Sequence, residues 1–267
     1  MTSEEVRAGR FAGRVAMVTG AASGMGAAVA RQLAAEGARA VVLADVNGGG
    51  AAAVAEELPA AGAVALDVAD ATGVDSAFED VLRRHGRLDV LVHAAGVDDP
   101  EAKRRIADAA VEGRPVELTD SLDDASWQRV MRVNLDGTFH VLRAAVRVMR
   151  PRGAGAIVVI GSSSAFDAPV GYPHYAASKA GVHALAQAVA KEVVASGIRV
   201  NVVAPGPTDT GMAARTPEAL RSAFADPRVR PYATPEEISE IALFLASDAA
   251  ANLVGAVLLA NGGRFTA

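Results

Sequence analysis

The sequence predicts an α/β fold in which helices cover both faces of a parallel sheet. Short β-branched, apolar runs alternate along the chain with longer, alanine-rich stretches. Parallel strands are buried on both faces and therefore show such continuous apolar runs. The length of 267 residues fits one undivided domain of this kind, residues 1–267. We therefore expect a doubly wound Rossmann fold with seven parallel strands.

The predicted strands are seven apolar segments, in chain order Val15–Thr19, Ala40–Asp45, Ala63–Asp67, Val90–His93, Ala156–Ile160, Arg199–Val203 and Ala256–Ala260. The stretch after the first strand has apolar residues at helical spacing, from Val29 to Ala34, and is expected to stop at Gly37. The tripeptide Gly48–Gly50 is expected to form a loop that leads into the next helix.

Composition excludes several classes of protein. The net charge is −5 and the 23 arginines are scattered, so a nucleic-acid partner is not expected. The chain has no cysteine, which excludes disulfides, thiolate nucleophiles and zinc–thiolate sites; no spacing of acids or histidines suggests a metal. No apolar stretch approaches the roughly 20 residues of a membrane helix, and the first residues, 1–5, do not resemble a signal peptide. A cytoplasmic protein without a membrane partner is expected.

A glycine-rich turn follows the first strand. It runs from Thr19 through Gly20 and Gly24 to Gly26, where backbone without side chains can approach a pyrophosphate at a helix N-terminus. Asp45 ends the second strand, where a carboxylate can accept hydrogen bonds from the adenosine ribose. Its charge would repel a 2′-phosphate, and no basic residue follows as far as Gly50, so NAD is favoured over NADP. The alternative is that Asp45 only caps the next turn.

One cassette pairs two rare residue types. The chain has three tyrosines and three lysines, and Tyr175 and Lys179 stand four residues apart, with Ser162 thirteen residues upstream. Residues at this spacing share a helix face, so the ammonium is expected to lower the pKa of the phenol. A tyrosine tuned in this way can exchange a proton with an alcohol or ketone. The alternative is an ordinary pair of surface residues.

Taken in order, these motifs resemble the short-chain dehydrogenase/reductase family in its single-domain form, and the 3-oxoacyl reductases in particular. The resemblance runs from about Gly13 to the C-terminus. Asp67-Val68 matches the pair that flanks the adenine, and Pro205–Thr210 resembles the loop at the nicotinamide end. His93–Gly96 stands where the family usually has Asn-Asn-Ala-Gly, so the asparagine side-chain contacts are expected to be lost.

The resemblance implies roles for particular residues. Tyr175 is the general acid/base, Lys179 binds the nicotinamide ribose, Ser162 holds the substrate oxygen and Asn134 supports a water that leads to Lys179. The implied dinucleotide site comprises Gly20, Ser23, Gly24, Met25, Gly26, Asp45, Val46, Asp67, Val68, Ala94, Ala95, Gly96, Tyr175, Lys179, Pro205, Gly206, Thr208 and Thr210. The family also implies a homotetramer, which the small residues from Ala176 to Ala188 would permit.

The substrate side is less determined. The side chains expected to line the pocket are Ser164, Phe166, Tyr172 and Met212, with Phe224 as a further candidate. His174 is interpreted as a surface residue and His93 as a supporting loop residue rather than a catalyst. The expected lid, about 209–230, holds Arg215, Arg221, Arg228 and Arg230. An anionic substrate would explain them, although a solvated loop is the favoured interpretation.

Residues 98–117 form a charged insertion relative to the family. Pro100 is expected to open a helix with Ile106, Ala109 and Ala110 on its apolar side, and Gly113 to close it. The segment would border the active-site entrance or a subunit contact; the alternative is an inert surface excursion.

The predicted function is an NAD-dependent oxidoreductase acting on a small-molecule secondary alcohol or ketone. The alternatives are an NADP-dependent 3-oxoacyl thioester reductase and a non-catalytic dinucleotide-binding regulator. The direction of the reaction and the identity of the substrate do not follow from the sequence, because loops build the pocket walls.

Overall fold

Seven parallel strands form one sheet in the computed structural model, which describes residues 9–218, 230 and 232–267. The strand order is β3-β2-β1-β4-β5-β6-β7. The strands are β1 (Val15–Thr19), β2 (Ala40–Asp45), β3 (Ala61–Ala65), β4 (Val90–His93), β5 (Gly155–Ile160), β6 (Ile198–Pro205) and β7 (Val257–Ala260). This arrangement confirms the predicted doubly wound fold. Because the order reverses direction after β1, the carboxyl ends of β1 and β4 flank a crevice that can take a ligand.

Helices cover both faces of the sheet, and each face has its own hydrophobic core. The helices are α1 (Gly24–Ala35), α2 (Gly48–Glu56), α3 (Ala71–His85), α4 (Pro100–Glu112), α5 (Asp124–Met131), α6 (Gly137–Met149), α7 (Pro173–Val193), α8 (Gly211–Ala214) and α9 (Pro235–Ala246). Among the described residues no helix combines the length and the apolar character needed to cross a membrane.

Two strands differ from their predicted bounds by two residues: β6 ends two residues later, and β3 begins and ends two residues earlier than predicted. Pairing starts where Val41 of β2 faces Ala61 and stops at Asp45 with Ala65. The apolar signal continues to Leu66, whose side chain is buried although its residue lies beyond the strand. The apolar pattern therefore indicates which residues are buried in the core, and not which residues form backbone hydrogen bonds with the neighbouring strand.

The glycine tripeptide was predicted wrongly, because it forms the first turn of α2 and not a loop. The side chain of Asn47 accepts a hydrogen bond from the backbone N–H of Gly50 and thereby caps the helix. The prediction for α1 is confirmed at its end: Gly37 follows the last turn with a φ of +85°.

The inserted segment folds as α4, with Pro100 in its first turn and Gly113 in the left-handed conformation after its last. Ile106 and Ala109 are buried as expected, whereas Ala110 is exposed and Ala102 and Ala107 take part in the buried face. The helix packs in a small separate cluster whose buried members are Ala102, Ile106, Ala107, Leu118 and Tyr172. Tyr172 belongs to the segment that leads into α7, so the insertion lies against the start of that helix.

Candidate active site

The glycine turn packs closely against the end of β4. Gly20 has a φ of +68°, and a Cβ atom built on it would lie 2.6 Å from the backbone nitrogen of Ala95. A Cβ on Gly26 would lie 2.1 Å from the carbonyl oxygen of Gly20. Ser23, at the N-cap of α1, makes no capping hydrogen bond with its side chain. The first amides of α1 are therefore left for an external acceptor.

Asp45 faces this turn from the end of β2. One carboxylate oxygen accepts a hydrogen bond from the backbone of Ala22 at 3.0 Å, and the other accepts one from Asn47 at 2.8 Å. The second contact is a local turn of the kind considered as the alternative. The first ties the carboxylate to the glycine turn itself, and the N-cap of α2 is Asn47 rather than Asp45. Val46, the next residue, is exposed.

Asp67 and Val68 follow β3 along the same edge of the sheet. The Asp67 carboxylate accepts a hydrogen bond from the backbone of Ala69 at 2.9 Å. Val68 is buried and its carbonyl oxygen lies 3.0 Å from Nδ1 of His140. A Cβ on Gly137 would lie 2.7 Å from Val68 Cγ2, so the start of α6 packs directly on this valine.

Asn134 lies in a π-helical segment, Arg132–Asp136, between α5 and α6. Its amide nitrogen donates to the Val97 carbonyl at 3.0 Å and to the Ser178 hydroxyl at 3.1 Å. Its amide oxygen accepts from the Val97 backbone N–H at 2.8 Å. Single π turns inside α-helices are frequent at functional sites, since the extra residue redirects a side chain. Here the segment bridges the chain after β4 to α7.

Ser162, Tyr175 and Lys179 converge at the carboxyl end of β5. The Ser162 side chain lies close enough to Tyr175 to act on the pKa of its phenol, and the Ser162 hydroxyl oxygen accepts a hydrogen bond from the backbone of Ser164 at 3.1 Å. Lys179 Nζ donates to the Ile160 carbonyl at 3.1 Å and lies 6.0 Å from the centre of the Tyr175 ring. Contact with the tyrosine thus distinguishes Ser162 from the two serines that follow it.

The pKa of Tyr175 shifts in the direction opposite to the predicted one. Among the protein groups alone, burial raises the pKa of the phenol, and the nearby Ser162 side chain only partly opposes that effect. Burial also lowers the pKa of Lys179 to about 8, which weakens its hold on a proton near neutral pH. Desolvation of both groups therefore outweighs the attraction expected from their spacing.

A cavity of about 430 Å³ opens beside Tyr175. Of the expected pocket residues, Ser164, Tyr172 and Met212 line it. Phe166 does not, which corrects the prediction: it is 44% exposed, and its ring packs on His183 at 5.3 Å between centroids. The short helical turn after Ser162 directs this side chain away from the cavity. Phe224, together with Arg221 and Arg228, lies outside the described residues.

The end of β6 and the loop that follows it also line the cavity. Pro205, Gly206, Pro207, Thr208 and Thr210 all line it. The hydroxyl oxygen of Thr210 accepts a hydrogen bond from the backbone of Ala213 at 3.3 Å and caps α8. A Cβ on Gly24 would lie 3.2 Å from Thr210 Cγ2, so this loop contacts the glycine turn. Met25 of α1 also lines the cavity. The cavity therefore extends from the glycine turn to the segment that holds Tyr175.

His174 is not at the surface as predicted. It is completely buried, and its Nε2 lies 3.0 Å from a carboxylate oxygen of Asp99, the N-cap residue of α4. The hydroxyl of Tyr172 donates to the Asp99 carbonyl at 2.9 Å. The first turn of α7 is thus fastened to the insertion by buried polar groups. No local pattern in the sequence indicates this pairing, because it depends on where the insertion folds.

His93 and His183 also take part in the site's support. His93 is the last, buried residue of β4 and bridges the hydroxyls of Thr19, at 2.7 Å, and Thr138, at 3.0 Å. His93 thus makes two side-chain contacts of its own at a position where only lost contacts were expected. His183, a site residue that no sequence motif indicates, accepts a hydrogen bond at Nε2 from the backbone of Ser162 at 3.3 Å. It holds the serine in place from α7.

Charged residues of the insertion reach the cavity as well. Asp98 and Lys103 both line it, and Lys103 Nζ lies 2.6 Å from a carboxylate oxygen of Asp98. The other Asp98 oxygen lies 3.3 Å from the guanidinium of Arg215. Within the part of the chain that the structure describes, no three acidic or histidine side chains converge as a metal site would require.

Comparison with known proteins places this geometry among reductases and dehydrogenases. A family model described as enoyl-(acyl carrier protein) reductase matches residues 20–264. The chain is 43% identical over 257 residues to cis-4-hydroxycyclohexanecarboxylate dehydrogenase of Sinomonas cyclohexanicum, a match that covers 95% of this chain and 97% of that protein.

Two further relatives support the same placement. The 3-oxoacyl-(acyl-carrier-protein) reductase FabG of Escherichia coli strain K12 is 33% identical over 256 residues, which are 96% of this chain and 98% of that enzyme. Among solved structures, the crystal structure of gox2181 is 31% identical and superposes with a TM-score of 0.82, covering 94% of this chain and 95% of that one.

Proposed function

The chain belongs to the short-chain dehydrogenase/reductase family and is an oxidoreductase, and on this premise we propose that it interconverts a secondary alcohol and a ketone with NAD(H). The observation that carries the proposal is that Ser162 and Tyr175 line the same cavity while Lys179 Nζ lies 6.0 Å from the centre of the Tyr175 ring. A regulator without catalysis would not need a serine–tyrosine pair held at a cavity wall. Direction is set by the supply of substrate and not by these residues.

The residues fit a nicotinamide dinucleotide. The uncapped amides of α1 and the side-chain-free surface of the glycine turn suit a pyrophosphate. Asp45 suits a ribose with two hydroxyls, because a carboxylate accepts from hydroxyls and repels a phosphate. The two hydrogen bonds from Ala22 and Asn47 hold that carboxylate at the turn. When bound, the nicotinamide ring supplies or accepts the hydride.

The side chains account for the proton transfers. In alcohol oxidation the Tyr175 oxygen takes the hydroxyl proton, and in ketone reduction the phenol returns it. Ser162 donates to the substrate oxygen and orients it toward the tyrosine. Lys179 lies close to Tyr175, and a protonated ammonium there would stabilise the tyrosinate. Asn134 holds the segment after β4 against α7 through its hydrogen bonds with Val97 and Ser178.

For the substrate class, the relative that acts on a hydroxycyclohexane carboxylate supports a cyclic hydroxy acid. The cavity offers an apolar stretch, from Ile106, Tyr172 and Met212, beside the polar catalytic groups. The second candidate is reduction of a 3-oxoacyl thioester, which the 33% identity to FabG favours. The two candidates differ in the molecule that the cavity must hold beyond the reacting carbon.

Steady-state kinetics with matched cofactors and substrates test this proposal. We expect oxidation of cis- or trans-4-hydroxycyclohexanecarboxylate with NAD, at a kcat/KM roughly 30-fold higher than with NADP. This corresponds to about 2 kcal/mol from lost ribose hydrogen bonds and charge repulsion at Asp45. Higher efficiency with NADPH and acetoacetyl thioester would instead establish the 3-oxoacyl reductase.

We also propose a homotetramer in which α7 packs against α7 of a neighbouring subunit. Ala177, Ala180, Ala184 and Ala188 are exposed on this helix. Ala176 is buried within the subunit, and a Cβ on Gly181 would lie 3.1 Å from Leu135, so these two residues serve internal packing. Phe139 of α6, a helix that contacts α7, is 47% exposed and adds apolar surface nearby.

Light scattering at micromolar concentration should give four times the chain mass of 27.1 kDa. Ala184→Arg should lower the assembly state, because a long charged side chain separates closely packed helices. Ala110→Arg, at an exposed alanine of α4, is the matched control and should leave the tetramer intact. A monomeric wild-type protein would refute the proposal.

A further inference from the structure

Lys103 is the one lysine that the insertion contributes, and it points into the cavity. It lies on the first turns of α4 and its side chain is only 13% exposed. Its ammonium lies 2.6 Å from Asp98 Oδ2 and donates to the Met212 carbonyl at 3.0 Å. An ammonium has three N–H donors, so these two contacts leave a third for a molecule in the cavity.

Asp98 is the counter-ion of Lys103, but it is shared with a second cation. Asp98 is buried, and its two carboxylate oxygens face Lys103 and Arg215 separately. One carboxylate therefore serves two cations. The charged residues that line the cavity are Lys103, Arg264, Asp98 and Asp167, whereas Arg215 pairs with Asp98 from outside this lining. Asp98 therefore neutralises Lys103 only in part, and a partly desolvated ammonium attracts an anion more strongly than one in water.

The position of this cluster suits a substrate with two functional ends. Tyr175 and Ser162 line the same cavity as Lys103, and the apolar side chains of Ile106, Tyr172 and Met212 line it too. A ring or short chain can occupy the apolar part while its hydroxyl meets Tyr175 and a carboxylate meets the ammonium. This separation of polar ends by an apolar middle is typical of small-molecule sites.

We propose that Lys103, supported by Arg215, binds the carboxylate of a hydroxy-acid substrate and makes the enzyme selective for anionic over neutral alcohols. The inference deepens the proposed function and rests on it. Asp98 acts as a positioning residue, because it holds Lys103 at the cavity wall and pairs with Arg215 as well. The insertion at residues 98–117 thereby gains a role in specificity that a shorter connection would not supply.

The test compares Lys103→Gln with the wild type on two substrates, 4-hydroxycyclohexanecarboxylate and its methyl ester. Glutamine keeps a donor for Asp98 and Met212 but removes the charge. We expect kcat/KM for the acid to fall about 10- to 100-fold, mainly through KM, while the ester changes less than about threefold. Lys103→Arg should retain most of the preference for the acid. Arg104→Gln, at an exposed residue paired with Glu101 and Asp108, is the control on the same helix.

Calorimetric binding of cyclohexanecarboxylate, which has no hydroxyl to oxidise, separates this inference from the proposed function. If the wild type binds it and Lys103→Gln does not, the anion site stands even where no alcohol is turned over. Equal losses on acid and ester would show that Lys103 only fastens α4 to α8 and would overturn the inference. Unchanged selectivity in Lys103→Gln, or no binding of the carboxylate by the wild type, would overturn it as well.

Discussion

Tyr175→Phe should lower kcat by several orders of magnitude, equivalent to about 4–6 kcal/mol in the activation barrier. The phenol is the proton donor and acceptor of the proposed reaction, and phenylalanine keeps the ring while removing the oxygen. The ring of Tyr175 packs against that of Tyr172 at 5.4 Å between centroids, so the substitution preserves the packing. The folding of the variant should therefore be close to that of the wild type.

The measurement is single-turnover and steady-state kinetics, together with NAD binding followed by calorimetry. Binding should persist in Tyr175→Phe, since the glycine turn and Asp45 are untouched. Tyr172→Phe provides the comparison at a second cavity tyrosine, whose hydroxyl donates to the Asp99 carbonyl. That variant should lose far less in kcat, because the hydroxyl fastens the insertion and exchanges no proton with substrate. Near-normal turnover by folded Tyr175→Phe would remove the tyrosine from the mechanism.

Much of the fold follows from local pattern. Continuous apolar runs specify buried parallel strands, and the strand ends then gather at one edge of the sheet because the strands are parallel. Glycines with positive φ, such as Gly20, occur where the backbone must turn tightly. These signals are short-range, so they can be read without knowing the rest of the structure. The burial of Leu66 beyond β3 shows their limit, since the pattern reports burial and not hydrogen bonding.

The parts of the site that the sequence did not predict depend on contacts between distant segments. The Asp99–His174 pair joins the insertion to α7. Its two residues are 75 positions apart in the chain, and no periodicity of the sequence encodes such a pairing. The π turn around Asn134 arises where α5 gives way to α6 and has no compositional signal. The pKa of Tyr175 was predicted from charge alone, whereas desolvation, which requires the packed structure, dominates it.

His93 makes the stability of the protein depend on pH. Thr138 donates its hydroxyl hydrogen to the Asn134 carbonyl at 2.5 Å, so it accepts the Nε2–H of His93. Nδ1 of the imidazole then accepts from Thr19, and the ring is neutral. Burial, with a smaller contribution from the charge of Lys179, lowers the pKa of His93 to about 3 from 6.5. The folded state therefore excludes a proton that the unfolded chain binds below pH 6.5.

The sign and size of the effect follow from proton linkage. Stability is fully present above pH 6.5 and is lost as the pH falls toward the folded pKa, by about 1.4 kcal/mol per pH unit. Between pH 7.5 and pH 4 the cost from His93 is about 3 kcal/mol. His93→Asn removes this titration and places there the amide that the family usually has. Carboxylates and His183 titrate in both proteins and cancel in the comparison.

Urea unfolding of the wild type and His93→Asn at several pH values between 4 and 7.5 measures the difference directly. As the pH falls from 7.5 to 4, the wild type should lose about 3 kcal/mol more of its free energy of unfolding than His93→Asn loses, whatever the difference between them at neutral pH. Thr138→Val, which removes the acceptor for Nε2–H but leaves the imidazole, should retain most of the wild-type pH dependence. Parallel curves for the wild type and His93→Asn would mean that folding does not change the protonation of His93, and the lowered pKa of its buried ring would then be wrong.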